Sequence, residues 1–214
     1  VSFYPVNLQI HNRLCIVVGG GSVAERKVLG LLDAGACVTV LSPEITPHLA
    51  ELITKKKLSH IERIYGKGDL AGFFIAICAT NNEIINKLVA EEASKLGILV
   101  NVVDDPERGN FTVPSKITHG DLLMTISTGG KSPALAKMLA RELAQQYGPE
   151  YGIYLDLVAV ARAKMKQQMS LSTERESFWR QTIDQESINL LKEGKLQEAE
   201  AKINNAISCF GTKS

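Results

Sequence analysis

The stretch Leu14-Cys15-Ile16-Val17-Val18-Gly19-Gly20-Gly21-Ser22-Val23-Ala24 constrains this chain more than any other. Five apolar residues without alternation read as a strand buried on both faces. Three glycines follow, and then Val23, Ala24, Val28, Leu31 and Leu32 recur at helical spacing. Gly19, Gly21 and Ala24 fall in the G-x-G-x-x-A form of the dinucleotide fingerprint. The spacing has a physical purpose. Gly19 permits the tight turn, Gly21 lets the backbone approach a pyrophosphate, and small Ala24 lets helix and strand pack closely. The helix N-terminus then directs free N–H groups and a partial positive charge at the phosphates. The same glycines would also suit a turn without a ligand; the strand before and the helix after favour the nucleotide.

The rest of the first half repeats the strand–helix alternation. Cys37–Leu41, Ile61–Tyr65, Phe73–Ala79 and Ile98–Val103 read as strands. Leu49, Leu52 and Ile53 mark one intervening helix, and the run from Ile84 to Ala93, closed by Gly97, marks another. This pattern predicts an α/β fold with a Rossmann-like, doubly wound parallel sheet, an NAD-binding domain over 1–110. Phe3–Ile10, which contains Pro5, reads as an edge strand paired with Leu14–Val18 through a turn at His11-Asn12-Arg13. Beyond it, Phe111–Val113, Ser115–His119 and Leu122–Thr128 look like short strands with no helices between them. Such strands must extend the sheet or pair with a second copy, so 111–147 is expected to be a dimerisation region. Ser132-Pro133 opens a helix in the preferred way, with a stripe of Leu135, Met138, Leu139 and Leu143. Residues 148–214 read as a helical C-terminal domain, with helices at 150–168, 173–182, 184–193 and 195–207. Leu190, Leu191 and Leu196 are its expected core.

The net charge of +1 argues against nucleic acid or an acidic membrane surface as partner. No apolar run approaches the ~18 residues of a membrane-spanning helix, and Val1–Asn12 lacks the features of an export signal. Cys15, Cys37, Cys78 and Cys209 form no CxxC and read as reduced core thiols, which predicts a cytoplasmic location. His11, His48, His60 and His119 share no metal-ligand spacing, and no metal site is expected.

Ligands of parallel sheets bind at the carboxyl ends of the strands. The second strand ends at Leu41-Ser42-Pro43-Glu44, where an acid normally meets the ribose; Ser42 stands there instead, and Glu44 follows late. No nearby Arg or Lys offers a partner for a 2′-phosphate, which favours NAD over NADP. The fourth strand ends at Thr80-Asn81-Asn82, suited to the cofactor's ribose or nicotinamide region, or equally to capping the next helix. The fifth ends at Asn101-Val102-Val103-Asp104-Asp105-Pro106, either an acidic site or an Asx-turn before proline. Alternation places Asn101 with Val103 and Val102 with Asp104. Gly129-Gly130-Lys131-Ser132-Pro133 offers a second set of free N–H groups with a cation beside it, or merely a well-capped helix.

The ordered set VVGGGSVAERKV (17–28), VTVLSPE (38–44), ICATNN (77–82), NVVDDP (101–106), FTVPSKI (111–117) and STGGKSPALAKMLARELA (127–144) resembles the precorrin-2 dehydrogenase family, including the N-terminal module of siroheme synthase. The resemblance runs through most of residues 1–150 and thins in the tail to an Arg175–Trp179 segment. It implies NAD-dependent oxidation of precorrin-2 to sirohydrochlorin and, in several members, Fe²⁺ insertion to give siroheme. It also implies a homodimer with an intertwined middle region. It assigns the catalytic role to Asp104, and cofactor contacts to Ser22-Val23 and Pro43-Glu44 beside Gly19, Gly21, Ser42 and Thr80. Asn101, Thr128 and Lys131, with Lys116 or Arg108, are left for the carboxylate-rich substrate. Serine is frequent in the family where Thr128 stands, and the hydroxyl is kept. The length leaves no room in this chain for the synthase's methyltransferase module. A nucleotide-sensing regulatory domain without catalysis is the alternative, and it would have no need of NVVDDP or GGKSP.

Overall fold

The computed structural model describes residues 3–103, 105–168, 178, 179 and 182–211. The chain divides after Val113 into two compact units.

The first unit is a five-stranded parallel sheet of β1 (Leu14–Val18), β2 (Cys37–Leu41), β3 (Ser59–Ile61), β4 (Ile75–Cys78) and β5 (Leu99–Val102). Their order is β3-β2-β1-β4-β5. The connecting helices are α1 (Ser22–Asp33), α2 (Pro47–Thr54) and α3 (Glu83–Leu96). The unbroken apolar character of β1 follows from its central place. Cys15 and Val17 pack with Ala24 and Val28 of α1 and Leu49 of α2, while Ile16 and Val18 pack with Val89 and Ala93 of α3. Each buried aliphatic side chain here contributes about 1.5–3 kcal/mol relative to exposure.

Four expectations are corrected in this unit. Phe3–Ile10 forms no strand, and Phe3, Tyr4, Val6 and Leu8 are exposed. β1 already bonds to β2 on one side and β4 on the other, so no edge remains for the N-terminal segment. The third strand is Ser59–Ile61 rather than Ile61–Tyr65. Residues 62–65 leave the sheet because Tyr65 is buried in the α3-side core. Phe111–Val113 is likewise not a strand. Asn110 closes the β5 edge with its own groups instead: its N–H donates to Val100 O, its Oδ1 accepts from Val100 N, and its Nδ2 donates to Ile98 O. Gly109 permits this approach, since a Cβ there would lie 2.9 Å from Val100 O. Cys15 and Cys78 are buried, and burial pushes their thiols up to about 11 and about 12 respectively; Cys37 is exposed, against expectation.

In the second unit β6 (Ser115–His119) and β7 (Leu122–Ile126) pair with each other in an antiparallel hairpin. They neither extend the main sheet nor wait unpaired, as the sequence suggested. Gly120, with φ of +57°, holds the first loop position, where a two-residue turn needs a positive φ. One hairpin face carries Ile117 and packs among α4 (Pro133–Gln146) and α5 (Pro149–Gln168); Lys116, Thr118, Leu123 and Thr125 face outward. Gly152 of α5 admits His119, whose carbonyl oxygen would lie 2.5 Å from a Cβ there. α5, α6 (Gln185–Lys192) and α7 (Leu196–Gly211) enclose a separate core of Tyr154, Ala161, Met165, Phe178, Ile188, Leu191, Ala199, Ile203 and Ile207. Leu191 is buried and Leu190 partly so, but Leu196 opens α7 at the surface and is 48% exposed. Most of the helix expected at 173–182 lies outside the described residues. No described helix is long and apolar enough to cross a membrane.

Candidate functional site

The strand order reverses between β1 and β4, and the crevice opens at their carboxyl ends, where such sheets bind ligands. Gly19 N donates to Leu41 O and Ala79 N to Val18 O, which draws the ends of β1, β2 and β4 together. Gly19 has φ of +119°, and a Cβ on it would lie 2.3 Å from Ala79 O. A Cβ on Gly20 would lie 2.0 Å from Glu44 O. Sequence reasoning missed that second requirement, although three consecutive glycines where the fingerprint needs two were its signal. Gly21 differs from both, because a Cβ there meets nothing within 4 Å. It is the N-cap of α1 and supplies no side-chain cap, whereas Thr46, Asn82, Ser132 and Asp184 cap α2, α3, α4 and α6. The first N–H groups of α1 therefore face a cleft of about 650 Å³.

Of the expected cofactor contacts, Gly19, Gly21, Ser22, Val23, Ser42, Pro43, Glu44 and Thr80 all line this cleft. Two of the hydroxyls already have partners. Ser42 Oγ donates to Glu44 O at 2.7 Å, which fixes the turn after β2. Thr80 Oγ1 donates to Asn86 Oδ1 at 2.6 Å, and Asn82 caps α3 through Ile84 N and Ile85 N. Below the glycine turn, Glu25 accepts from the Thr46 hydroxyl and meets His48. The Thr46 bond, aided by His48 against slight desolvation, holds the Glu25 carboxyl below its ordinary value.

The cleft also contains Arg63, which sequence reasoning overlooked. Ser42 N and Arg63 N both donate to Ile61 O, at 3.2 and 3.0 Å, so the start of the post-β3 loop lies beside the end of β2. Two carboxylates hold this loop. Asp69 accepts both terminal nitrogens of Arg63 and also Gly66 N. Buried Glu92 accepts Tyr65 OH at 2.6 Å, Gly68 N at 2.8 Å and Leu70 N at 3.1 Å.

The remaining expected site residues are Asp104, Asn101, Thr128 and Lys131. Asp104 is outside the described residues. Asp105 pairs with Arg108 at 2.5 Å, which engages the arginine assigned to substrate. Asn101 is buried; its Nδ2 donates to Phe111 O and its Oδ1 has no partner among the described residues. In the second unit, Thr128 Oγ1 donates to Ser132 O and accepts Ser132 N, closing the glycine turn, while Lys131 is exposed. Among the described residues no cluster of three or more His, Cys, Asp or Glu side chains is arranged to hold a metal.

Comparison with known proteins gives three consecutive family matches. They are an NAD(P)-binding model over residues 6–115, the sirohaem biosynthesis protein central model over 120–146, and the sirohaem synthase dimerisation region over 150–207. Siroheme synthase 1 of Aeromonas salmonicida is 36% identical over 86% of this chain and 39% of its own length. Siroheme synthase of Vesicomyosocius okutanii is 34% identical over 97% of this chain and 45% of its own length. The chain thus spans about two fifths of the length of the curated relatives it matches. Among solved structures, SirC, a precorrin-2 dehydrogenase, matches with a TM-score of 0.76 and 29% identity, covering 95% of this chain and all of that one.

Proposed function

Because the chain belongs to the NAD(P)-binding family, in the group of precorrin-2 dehydrogenases and siroheme synthases, we propose that it oxidises precorrin-2 to sirohydrochlorin with NAD⁺. The observation that carries this reading is the glycine turn of β1. Its open side at Gly21 and the uncapped N-terminus of α1 fit a pyrophosphate, in a chain that matches SirC along nearly its whole length. A regulatory sensor domain would have no use for the second unit's two sirohaem-specific matches.

NAD⁺ supplies the hydride acceptor when bound. The chain's own residues must hold it and remove a proton from the substrate. Gly19 and Gly20 keep β1, β2 and β4 close enough to form the cleft, and Gly21 to Val23 present N–H groups to the phosphates. The proton is assigned to Asp104, on the strength of the NVVDDP motif. A carboxylate at a partly desolvated position can serve as a general base. Fe²⁺ insertion, as a second activity, would draw on the same base to remove pyrrole protons. The exposed Lys131 is assigned to a substrate carboxylate. Free thiols at Cys15, Cys37 and Cys78 support the cytoplasm as the compartment, and the dimerisation-region match supports a homodimer.

The test is absorbance-monitored turnover of precorrin-2 with NAD⁺. Asp104→Ala is expected to keep NAD⁺ binding and lose dehydrogenation by ~10²-fold or more, the scale of a positioned general base. Asp105→Ala is expected to be milder, since that carboxylate is committed to Arg108. A fully active Asp104→Ala protein, or a more damaged Asp105 variant, overturns the assignment. Loss of iron insertion alone would make Asp104 a metal-insertion base instead.

A further inference from the structure

An arginine beside the end of β2 ordinarily signals NADP, because it can meet the 2′-phosphate. Arg63 holds that place, yet both its terminal nitrogens are engaged by Asp69, at 2.6 and 2.7 Å. Its Nη1 also donates to Ile64 O at 3.2 Å. The Asp69 carboxylate is only 15% exposed and is anchored by Gly66 N at 2.7 Å, so it cannot follow the arginine outward. Pulling Arg63 away would leave a largely buried carboxylate without its charge partner, which is costly. The loop carrying both residues is further fixed by Glu92 through Tyr65, Gly68 and Leu70. Glu44, the other charged side chain among the described residues that line the cleft, is acidic and would repel a phosphate.

We propose that the Arg63–Asp69 pair is the cofactor-discriminating element of this protein, a latch that neutralises the one arginine among the described residues placed to accept a 2′-phosphate and so commits the cleft to NAD. The proposal rests on the dinucleotide reading of the cleft and deepens it. Specificity here comes from withholding a cation rather than from adding the ribose-binding acid that the sequence lacks after β2. Asp69 never touches the cofactor; it acts through Arg63 as a positioning residue.

The experiment measures Kd for NAD⁺ and for NADP⁺ by calorimetry, at two salt concentrations, on the whole chain and on Asp69→Ala, Asp69→Asn and Arg63→Ala/Asp69→Ala. Freed in Asp69→Ala, Arg63 should improve NADP⁺ binding relative to NAD⁺ by about tenfold or more, the scale of one charge-assisted contact. That gain should weaken at high salt and disappear in the double variant. Asp69→Asn, which retains an acceptor for Gly66 N, should give a smaller gain in the same direction and serves as the test if Asp69→Ala does not fold. An unchanged ratio in a folded Asp69 variant overturns the latch. So does a gain that survives in the double variant, because it would come from losing Asp69's charge and not from Arg63. Failure of the unaltered chain to bind NAD⁺ would overturn the dinucleotide reading and the latch with it; unchanged ratios on top of firm NAD⁺ binding would overturn the latch alone.

Discussion

Gly19 and Gly21 stand two positions apart in one loop, and their substitution should fail in different ways. Gly19 combines a φ of +119° with a carbonyl 2.3 Å from the site of a Cβ. Alanine there must push β4 away from β1, and the backbone strain adds to the clash. Gly19→Ala should therefore cost about 2 kcal/mol or more of stability in denaturant melts, with or without cofactor. Gly21 has φ of −81° in extended backbone and open space around its Cβ position. Gly21→Leu should leave the melt unchanged and raise the Kd for NAD⁺ by about tenfold or more, because the side chain would occupy the phosphate's path. Unaltered NAD⁺ affinity in that variant would remove the phosphate-loop assignment. The sequence showed the fingerprint because its logic is local. It could not show that Gly20 is required by Glu44 O, a contact made across the sheet's end.

Among elements, α3 shows how a buried acid can organise a binding wall. Burial works to raise the Glu92 carboxyl, but Tyr65 OH and the N–H groups of Gly68 and Leu70 outweigh it and hold the carboxyl below its ordinary value. A depressed carboxyl stabilises the fold above its unfolded value, near 4.5, and that contribution is lost as pH falls through the lower folded value. The loop over 63–70 should thus loosen in acid below about 4.5, seen as a shift in the Tyr65 ring signals by NMR. Glu92→Gln should reduce that transition to the part contributed by Asp69, whose carboxyl is also held below its ordinary value by Arg63 and Gly66 N. It should weaken stability at pH 7 by about 1–3 kcal/mol, since an amide satisfies fewer of the three donors. A Tyr65 signal that follows the same acid profile in both proteins would contradict this. The five parallel strands were legible because the strand cores and helical spacings are contiguous in sequence. Phe3–Ile10 was misread because pairing depends on which edges of β1 remain free, which only the strand order settles. Arg63 was missed for the same reason: topology, not proximity in sequence, sets it beside Ser42. The roles of Ser42, Thr80 and Thr128 were only half legible. Their hydroxyls turn to Glu44 O, Asn86 Oδ1 and Ser132 O, geometry that no spacing rule encodes.

At the scale of the whole molecule, a net charge of +1 provides little long-range attraction or repulsion between copies, so association must rest on local apolar surface. The helix α4 offers such a surface. Leu135 and Met138, one turn apart on the apolar stripe read from the sequence, are 43% and 48% exposed, while only Ala136 of that helix is fully buried. We propose this half-bare stripe as an interaction face with a second copy as its occupant, a reading supported by the match to a dimerisation region over the adjoining residues 150–207. The hairpin, by contrast, spends Ile117 on its own unit, where it is 7% exposed. Sedimentation of the unaltered chain should therefore give a dimer at micromolar concentration. Leu135→Lys with Met138→Lys should shift it to monomer and lower the melting temperature only modestly, by the lost subunit binding and the half-covered side chains. Ile117→Lys should lower the melting temperature further, by burying a charge without a partner. A monomeric unaltered chain would contradict the dimer. A double variant that stays dimeric would move the interface away from α4, and a melt that drops as far as in Ile117→Lys would show that Leu135 and Met138 belong to the core of their own unit.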